Sequence, residues 1–197
     1  MSKKLVWGVG LYERGEYTAK VGGKMTKEYN LWKSVLERCY SERWRTRYSA
    51  YVGCSVSEEF SDFQKFSKWC NTQIGFGVGG YQLDKDIIHR GNKQYNRDGC
   101  AFVPREVNTL LTTSKATRGG CPIGVDLHAP TGKFRVRCGF GEGRQKHVGL
   151  FPTPEEAFYA YKEAKEAYIK VAAEKYKDSI DPRVYQALME WEVHIDD

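Results

Sequence analysis

Residues 133–157 decide the fold of the C-terminal half of this chain, and they read KFRVRCGFGEGRQKHVGLFPTPEEA. Basic and apolar residues alternate over Lys133–Cys138, which predicts a strand, and a second short strand is predicted near Lys146–Leu150. A strong helix start comes next, because Thr153 can cap a first turn that opens with proline and two glutamates. We therefore predict two strands followed by a long helix that ends at about Lys177.

A third strand and one face of the helix complete this part of the predicted fold. The third strand is predicted near Ile123–Leu127, after a segment rich in Thr, Ser and Gly. Small and aromatic residues recur along the helix at three- and four-residue steps, at Ala157, Tyr161, Ala164, Tyr168 and Val171. Such a face can cover the sheet, and a three-stranded sheet needs that cover. The predicted fold class is α+β.

The basic strand predicts a surface for nucleic acid. Alternation puts its cations on one face of the sheet and its apolar residues on the other, against the helix. Arginine can make two hydrogen bonds to guanine, and lysine or arginine can hold a phosphate. The candidate contact residues are Lys133, Arg135, Arg137, Arg144 and Lys146. The alternative is a basic sheet face that contacts only solvent.

Five short pieces of sequence occur in order within residues 121–177: Gly124-Val125, Lys133–Arg137, Lys146–Phe151, Thr153-x-Glu155-Glu156-Ala157 and Ala160-Tyr161. Together they resemble the AP2 DNA-binding domain. The leucine of Val148-Gly149-Leu150-Phe151 departs from the family position, and Phe134 stands where larger members often have tryptophan nearby. The resemblance implies a three-stranded antiparallel sheet packed on one long helix, with the sheet in the major groove of double-stranded DNA.

A second pattern begins at Leu83-Asp84-Lys85-Asp86-Ile87 and continues through a polar loop, an apolar strand and a helix that carries Asn108. The loop contains His89, Asn92 and Asn96. This order resembles the HNH, or ββα-metal, nucleases, particularly the phage homing-endonuclease type, and the resemblance covers about residues 5–112. It implies a small ββα-metal module with flanking helices, in which Asp84 and Asn108 hold a divalent metal such as Mg²⁺.

The resemblance does not identify the general base, because Lys85 occupies the position of the expected histidine. A lysine is a poor base at its reference pKa of about 10.4. Asp86 or His89 are the alternatives, so the module is active with a variant base, weakly active or inactive. Without a metal, Asp84 and Asp86 are interpreted as turn or strand-end carboxylates and Asn108 as a helix cap or a partner of the backbone.

The N-terminal part is predicted to contain two helices, over Lys27–Glu42 and Ser57–Cys70, the second with an aromatic stripe for the core. Between them lies a run of alternating basic and aromatic residues that includes Arg43, Trp44, Arg45, Arg47 and Tyr48. This run predicts either a basic aromatic patch against DNA phosphates or a solvated loop with two anchored rings.

The chain is predicted to divide into an HNH-like module (1–114), an AP2-like domain (115–180) and an acidic helix or tail (181–197). Lys and Arg outnumber Asp and Glu by 18 to 12 over 1–114 and by 12 to 7 over 115–177, whereas residues 178–197 hold 1 against 6. Basic folded segments favour a polyanionic partner. The tail can cap a core, mediate a homodimer or another protein contact, or lie loose.

The six cysteines show no CxxC pair and no zinc-finger spacing, so we expect reduced thiols and no structural zinc. No apolar run approaches the roughly 18 residues of a membrane span, and the first residues lack a signal-peptide pattern. We expect a cytoplasmic protein without a membrane partner, located in the host cytoplasm if a phage encodes it.

The sequence is compatible with three functions. The leading hypothesis is a metal-dependent endonuclease that nicks or cuts DNA near a site found by the AP2-like sheet. The second is a DNA-binding protein that does not cut, with a regulatory, architectural or anti-host role, and Lys85 favours it. The third is an interaction protein that uses the acidic tail and Trp191.

Overall fold

The computed structural model describes residues 5–112, 120–140 and 145–197. It is an α+β protein with short helices and small sheets, in agreement with the predicted class. The chain divides into two compact units, residues 1–102 and 103–197, and the helix with Asn108 belongs to the second. Most of the predicted break near 112–122 lies outside the described residues, so the predicted domain ranges stay predictions. Among the helices described, none combines the length and the apolar character of a membrane span.

The first unit consists of short elements around helix α1 (Lys27–Tyr40). A two-stranded hairpin precedes α1, and two small two-stranded sheets follow it. The other α-helices and strands up to the division are β1 (Lys20–Val21), β2 (Lys24–Met25), α2 (Glu42–Arg47), β3 (Ser55–Val56), α3 (Glu58–Ser61), α4 (Phe63–Asn71), β4 (Tyr81–Asp84) and β5 (Gln94–Tyr95), and β6 (Ala101–Pro104) spans the division. Strand β3 pairs in parallel with β5, and β4 pairs with β6.

Helix α1 follows the prediction closely, ending two residues before the predicted Glu42. The hydroxyl of Thr26 accepts a hydrogen bond from the Tyr29 N–H and so caps its first turn. Ser41 follows the last residue of the helix, and its extended backbone separates α1 from α2. Its buried side chains are Trp32, Val35, Leu36 and Cys39.

The prediction of one helix over Ser57–Cys70 is wrong, because the chain forms two helices that meet at Asp62. The Asp62 backbone is extended, and its carboxylate accepts the N–H groups of Gln64 and Lys65 at 2.8 and 3.2 Å. A residue that caps a new helix has a non-helical backbone, so the previous helix must end before it. The aromatic stripe is nevertheless buried as predicted, with Phe60, Phe63 and Phe66 fully enclosed.

The second unit contains a three-stranded antiparallel sheet and two principal helices. Strand β8 (Lys133–Gly139) is central, between β7 (Val125–His128) and β9 (Gln145–Phe151). The other elements are α5 (Arg105–Leu110), α6 (Pro154–Tyr176) and α7 (Pro182–Met189). The predicted strands and the long helix are confirmed within two or three residues.

Helix α6 covers one face of this sheet. Val136, Cys138, Ala157 and Tyr161 are buried together in the core between them. The prediction is wrong for Val171, which is 62% exposed. The buried positions of the helix continue instead at Ile169, Ala172 and Ala173. A straight helix turns 100° per residue, so its buried stripe drifts away from a strict three- and four-residue count.

Gly124 ties the start of β7 to this helix. Its φ is +75°, which L side chains rarely adopt, and a Cβ built there would lie 2.1 Å from Cδ2 of Tyr161. The Gly-Val and Ala-Tyr pieces of the sequence pattern therefore meet at one packing contact.

The C-terminal segment is part of the core of the second unit. Val184 and Leu188 of α7 are fully buried, and Val193 is 4% exposed. The Val193 N–H donates to Glu166 Oε1 at 2.8 Å, and its carbonyl accepts from Lys162 Nζ at 2.9 Å. Of the three predicted roles for the tail, capping a core is the one that these contacts fulfil, whereas a protein partner stays a prediction.

Glu106 joins α5 to the end of α6. Its carboxylate accepts hydrogen bonds from Lys175 Nζ at 2.6 Å and from the Tyr176 and Tyr168 hydroxyls at 2.5 and 3.3 Å. The hydrogen bonds from Lys175 and Tyr176 lower the pKa of Glu106 below its ordinary value. A carboxyl with a lowered pKa stabilises the fold above its unfolded pKa, and that stability is lost as the pH falls through the folded pKa.

We expect Glu106→Gln to destabilise the second unit by roughly 1–3 kcal/mol at neutral pH, because charge-assisted hydrogen bonds become neutral ones. Thermal unfolding followed by circular dichroism from pH 7 to pH 3 tests this. The difference in stability between the two proteins should close as the pH falls through the lowered pKa of the wild-type glutamate and it protonates. A difference in stability that does not vary with pH would show that the charge of Glu106 does not cause the destabilisation.

Candidate nucleic-acid interface

The open face of the sheet is basic along its central strand. Val136 and Cys138 of β8 are fully buried under α6, whereas Lys133 and Arg137 are exposed and the Arg135 side chain is 32% exposed. The predicted alternation of faces is therefore confirmed for β8. Three cations lie in a row on the face that α6 leaves open.

A carboxylate from β7 lies beside two of these cations. Asp126 is paired directly opposite Arg135 in the antiparallel register, so both side chains project from the same face. Oδ2 of Asp126 accepts from Arg135 Nη2 at 2.6 Å and Nε at 3.1 Å, and Oδ1 accepts from Arg137 Nε at 3.2 Å. Asp126 was not among the residues predicted from the sequence, although its place in a strand next to a basic strand was a usable signal.

Strand β9 adds a histidine to this face. The register pairs His147 with Arg137 and Lys146 with Cys138, and it shifts between Val136 and Arg137. Directly paired residues share a face, so Lys146 belongs to the helix side of the sheet while its side chain remains exposed at the end of the strand. The predicted contact Arg144 lies outside the described residues.

The predicted arginine run forms helix α2, so the alternative of a solvated loop is wrong. At 100° per residue, a helix places Arg43 and Arg47 on one side and Arg45 on the other. All three arginines are exposed, and Arg47 lies 5.5 Å from the ring centroid of Tyr48. Aromatic rings pack next to them, with centroids 4.8 Å apart for the tilted pair Trp44 and Tyr48 and 6.0 Å apart for the edge-to-face pair Trp44 and Tyr51.

Asp84 ends strand β4 and closes a tight turn in the first unit. Its Oδ1 accepts the backbone N–H groups of Asp86 and Ile87, both at 2.8 Å. The interpretation of Asp84 as a turn carboxylate is therefore confirmed. Its Oδ2 makes no hydrogen bond within the described residues. Desolvation raises the pKa of Asp84 above its ordinary value, and the nearby Asp86 charge raises it further.

Lys85 is buried, with 7% of the residue exposed, and its Nζ lies 3.2 Å from Oδ2 of Asp86. A charged lysine only donates hydrogen bonds, and this one is paired with a carboxylate. The position of the expected general base is thus occupied by an ion pair. The carboxylate of Asp86 remains half exposed, at 46%.

The polar loop after Asp86 is organised by its asparagines. Nδ2 of Asn92 donates to the carbonyls of Lys85 and Gln94 at 2.6 and 2.8 Å, and Oδ1 of Asn96 accepts from the Gly99 N–H at 2.7 Å. These two side chains are used to hold the loop. His89 lies at the exposed tip, and its carbonyl accepts the Asn92 N–H in a turn.

Asn108 lies inside α5, in the second unit, and is half-buried. Its place is three residues after the first residue of the helix, so the interpretation of Asn108 as a helix cap is wrong. Its backbone carbonyl accepts a hydrogen bond from the Thr112 hydroxyl at 3.2 Å. The predicted metal ligands Asp84 and Asn108 therefore belong to different units.

The described residues contain no group of three or more His, Cys, Asp or Glu side chains placed to hold a metal ion. Mg²⁺ binds through one or two protein oxygens and keeps several waters, so it does not require such a group. A half-buried carboxylate with a raised pKa and one uncommitted oxygen is a donor that suits this ion. The chemistry of Asp84 therefore fits the predicted Mg²⁺.

The cysteines act as small core groups. Cys39, Cys54, Cys70, Cys100 and Cys138 are buried, and all six thiols are free. Burial raises the pKa of Cys39 and of Cys100 to about 12. At neutral pH these thiols are protonated and unreactive.

Comparison with protein-family models, with curated proteins and with solved structures finds no match to this chain.

Proposed function

We propose that this chain binds double-stranded DNA through the sheet of its second unit. The observation that carries the proposal is the row of Lys133, Arg135 and Arg137 on the face that α6 leaves open. These cations can hold phosphates, and the arginines can also contact base edges. The major groove admits a two-stranded ribbon, so a small sheet with one basic face is suited to enter it.

The resemblance of residues 121–177 to the AP2 domain supports the same function. It implies a three-stranded antiparallel sheet followed by one long helix, and β7, β8, β9 and α6 have that order and pairing. The resemblance of residues 5–112 to phage homing endonucleases also supports DNA as the partner. The exposed arginines of α2 are a second proposed contact, since their neighbouring rings and charges suit a phosphate backbone.

The test of DNA binding is a titration of a labelled duplex, followed by fluorescence anisotropy at several salt concentrations. Each phosphate contact contributes about 0.9 to the slope of log affinity against log salt. We expect the combined variant Lys133→Ser, Arg135→Ser and Arg137→Ser to reduce the magnitude of that slope by about one for each of these side chains that holds a phosphate.

The matched control removes three exposed lysines away from the sheet: Lys24→Ser, Lys33→Ser and Lys170→Ser. It changes the net charge equally, so it should retain most of the slope. Equal losses in both variants would indicate a general charge effect instead of a sheet interface, and a wild-type protein without affinity for duplex DNA would contradict the proposed function.

A metal-dependent endonuclease is the second candidate, and Asp84 favours it. Its desolvated carboxylate has one oxygen without a hydrogen bond in the described part of the chain, and its charged form is disfavoured. A bound cation favours that charged form, and in phosphodiester cleavage it stabilises the charge that develops on the phosphate.

The ion pair of Lys85 bears on how such an enzyme obtains its base. Because Lys85 is committed to Asp86, we propose the exposed imidazole of His89 as the base of a cutting enzyme. The same ion pair is equally suited to a protein that retains the scaffold without cutting. That alternative is a DNA-binding regulator, or a phage accessory or anti-host protein.

A further inference from the structure

The carboxylate of Asp126 restricts how Arg135 and Arg137 can bind a partner. It engages Nε of both guanidinium groups and Nη2 of Arg135, at 2.6 to 3.2 Å. Nη1 of Arg135 and both terminal nitrogens of Arg137 make no hydrogen bond within the described residues. The two guanidinium groups are therefore anchored along one edge, with terminal donors still available.

This arrangement is a poor one for holding phosphates alone. A negative charge between two arginines repels a phosphate and reduces the net charge of the trio to +1. It also adds little stability, because all three side chains are about one-third to one-half exposed, and ion pairs at exposed sites contribute little. Asp126 thus weakens the attraction for phosphate and adds little stability. Neither effect explains its place between the two arginines.

Orientation is the role that the geometry favours. A solvated arginine side chain samples many rotamers, and fixing it before binding removes that entropic cost from the complex. Reading a base edge requires a guanidinium at a defined position, whereas a phosphate accepts one from many directions. The hydrogen bond from Arg135 lowers the pKa of Asp126, so the anchor is ionised at neutral pH.

We infer that Asp126 is a positioning residue that holds Arg135 and Arg137 for contact with guanine edges, and so makes binding selective for particular guanine-containing sites. This inference rests on the proposed DNA-binding function. It adds that the sheet discriminates between sequences and that a residue without its own DNA contact sets the discrimination. Removing the charge of Asp126 should therefore weaken selectivity while leaving affinity for bulk DNA equal or higher.

The experiment selects duplexes from a randomised library with the full wild-type chain, then measures affinity for the enriched duplex and for a scrambled one. We expect enriched sites to contain guanines. Asp126→Asn should lower the ratio of the two affinities about 10-fold, since a two-bond arginine–guanine contact carries roughly that discrimination. Affinity for the scrambled duplex should not fall.

The control Asp178→Asn makes the same charge change at an exposed position outside the sheet and should leave the ratio unchanged. Asp126→Glu retains the charge at a longer reach and should keep more of the ratio than Asp126→Asn. An unaltered ratio in a folded Asp126→Asn protein overturns the inference, as does a wild-type protein that enriches no sequence. A wild-type protein that binds no duplex at all contradicts the proposed function itself.

Discussion

Asp84→Asn is expected to reduce Mg²⁺-dependent cleavage of DNA at least about 100-fold, if the chain cuts DNA, because loss of a metal ligand removes several kcal/mol of transition-state stabilisation. Asparagine is the informative substitution here. Oδ1 of Asp84 accepts two backbone N–H groups at 2.8 Å, and an amide oxygen can still accept them. The turn is thus retained while the charge is removed, whereas alanine would also break the turn.

The assay is conversion of supercoiled plasmid to nicked and linear forms with Mg²⁺ or Mn²⁺. His89→Ala separates loss of a base from loss of the metal. It should lower the cleavage rate without raising the metal concentration needed for half-maximal cleavage.

Duplex binding measured on the same proteins decides between the two functional candidates. Binding that persists in Asp84→Asn while cleavage disappears supports a nuclease that locates its site through the sheet. Wild-type protein that binds duplex but cuts with neither metal is a DNA-binding protein on a nuclease-like scaffold. Cleavage that is unaffected in Asp84→Asn would contradict the assignment of the metal to this residue.

Trp32→Ala is expected to destabilise the first unit by about 4–8 kcal/mol. Removing a buried tryptophan costs about 3–5 kcal/mol, and leaving a buried carbonyl without its partner costs about 1–3 more. Trp32 is fully buried, contacts the rings of Tyr29 and Phe63, and donates from Nε1 to the Phe60 carbonyl at 2.9 Å. A loss of this size is comparable to the whole stability of a small domain.

Urea unfolding followed by circular dichroism and tryptophan fluorescence measures the effect of Trp32→Ala. Trp32→Phe keeps a ring but loses the hydrogen bond, so it should cost roughly 1–3 kcal/mol. Trp7→Ala removes a tryptophan that is 40% exposed and should change the stability far less. A Trp32→Ala protein within about 1 kcal/mol of wild type would show that the core does not depend on this side chain.

The strands and the long helix of the second unit could be predicted because their signals are local. Alternation along Lys133–Cys138 determines which residues face the core, and Thr153 with the proline after it determines where α6 begins. The same holds for α1 and its buried face. The helix break at Asp62 was missed because an aspartate inside an aromatic stripe looks like a solvated residue, while its carboxylate in fact caps a new helix.

The candidate site shows the same division between local and non-local information. The sequence by itself determined that Lys133, Arg135 and Arg137 share one face, because alternation in a strand is a property of consecutive residues. Only the tertiary structure decided that Asp126 anchors two of them and that Lys85 is buried against Asp86. Strand register and burial depend on residues distant in the chain, and no pattern of neighbouring residues specifies either one.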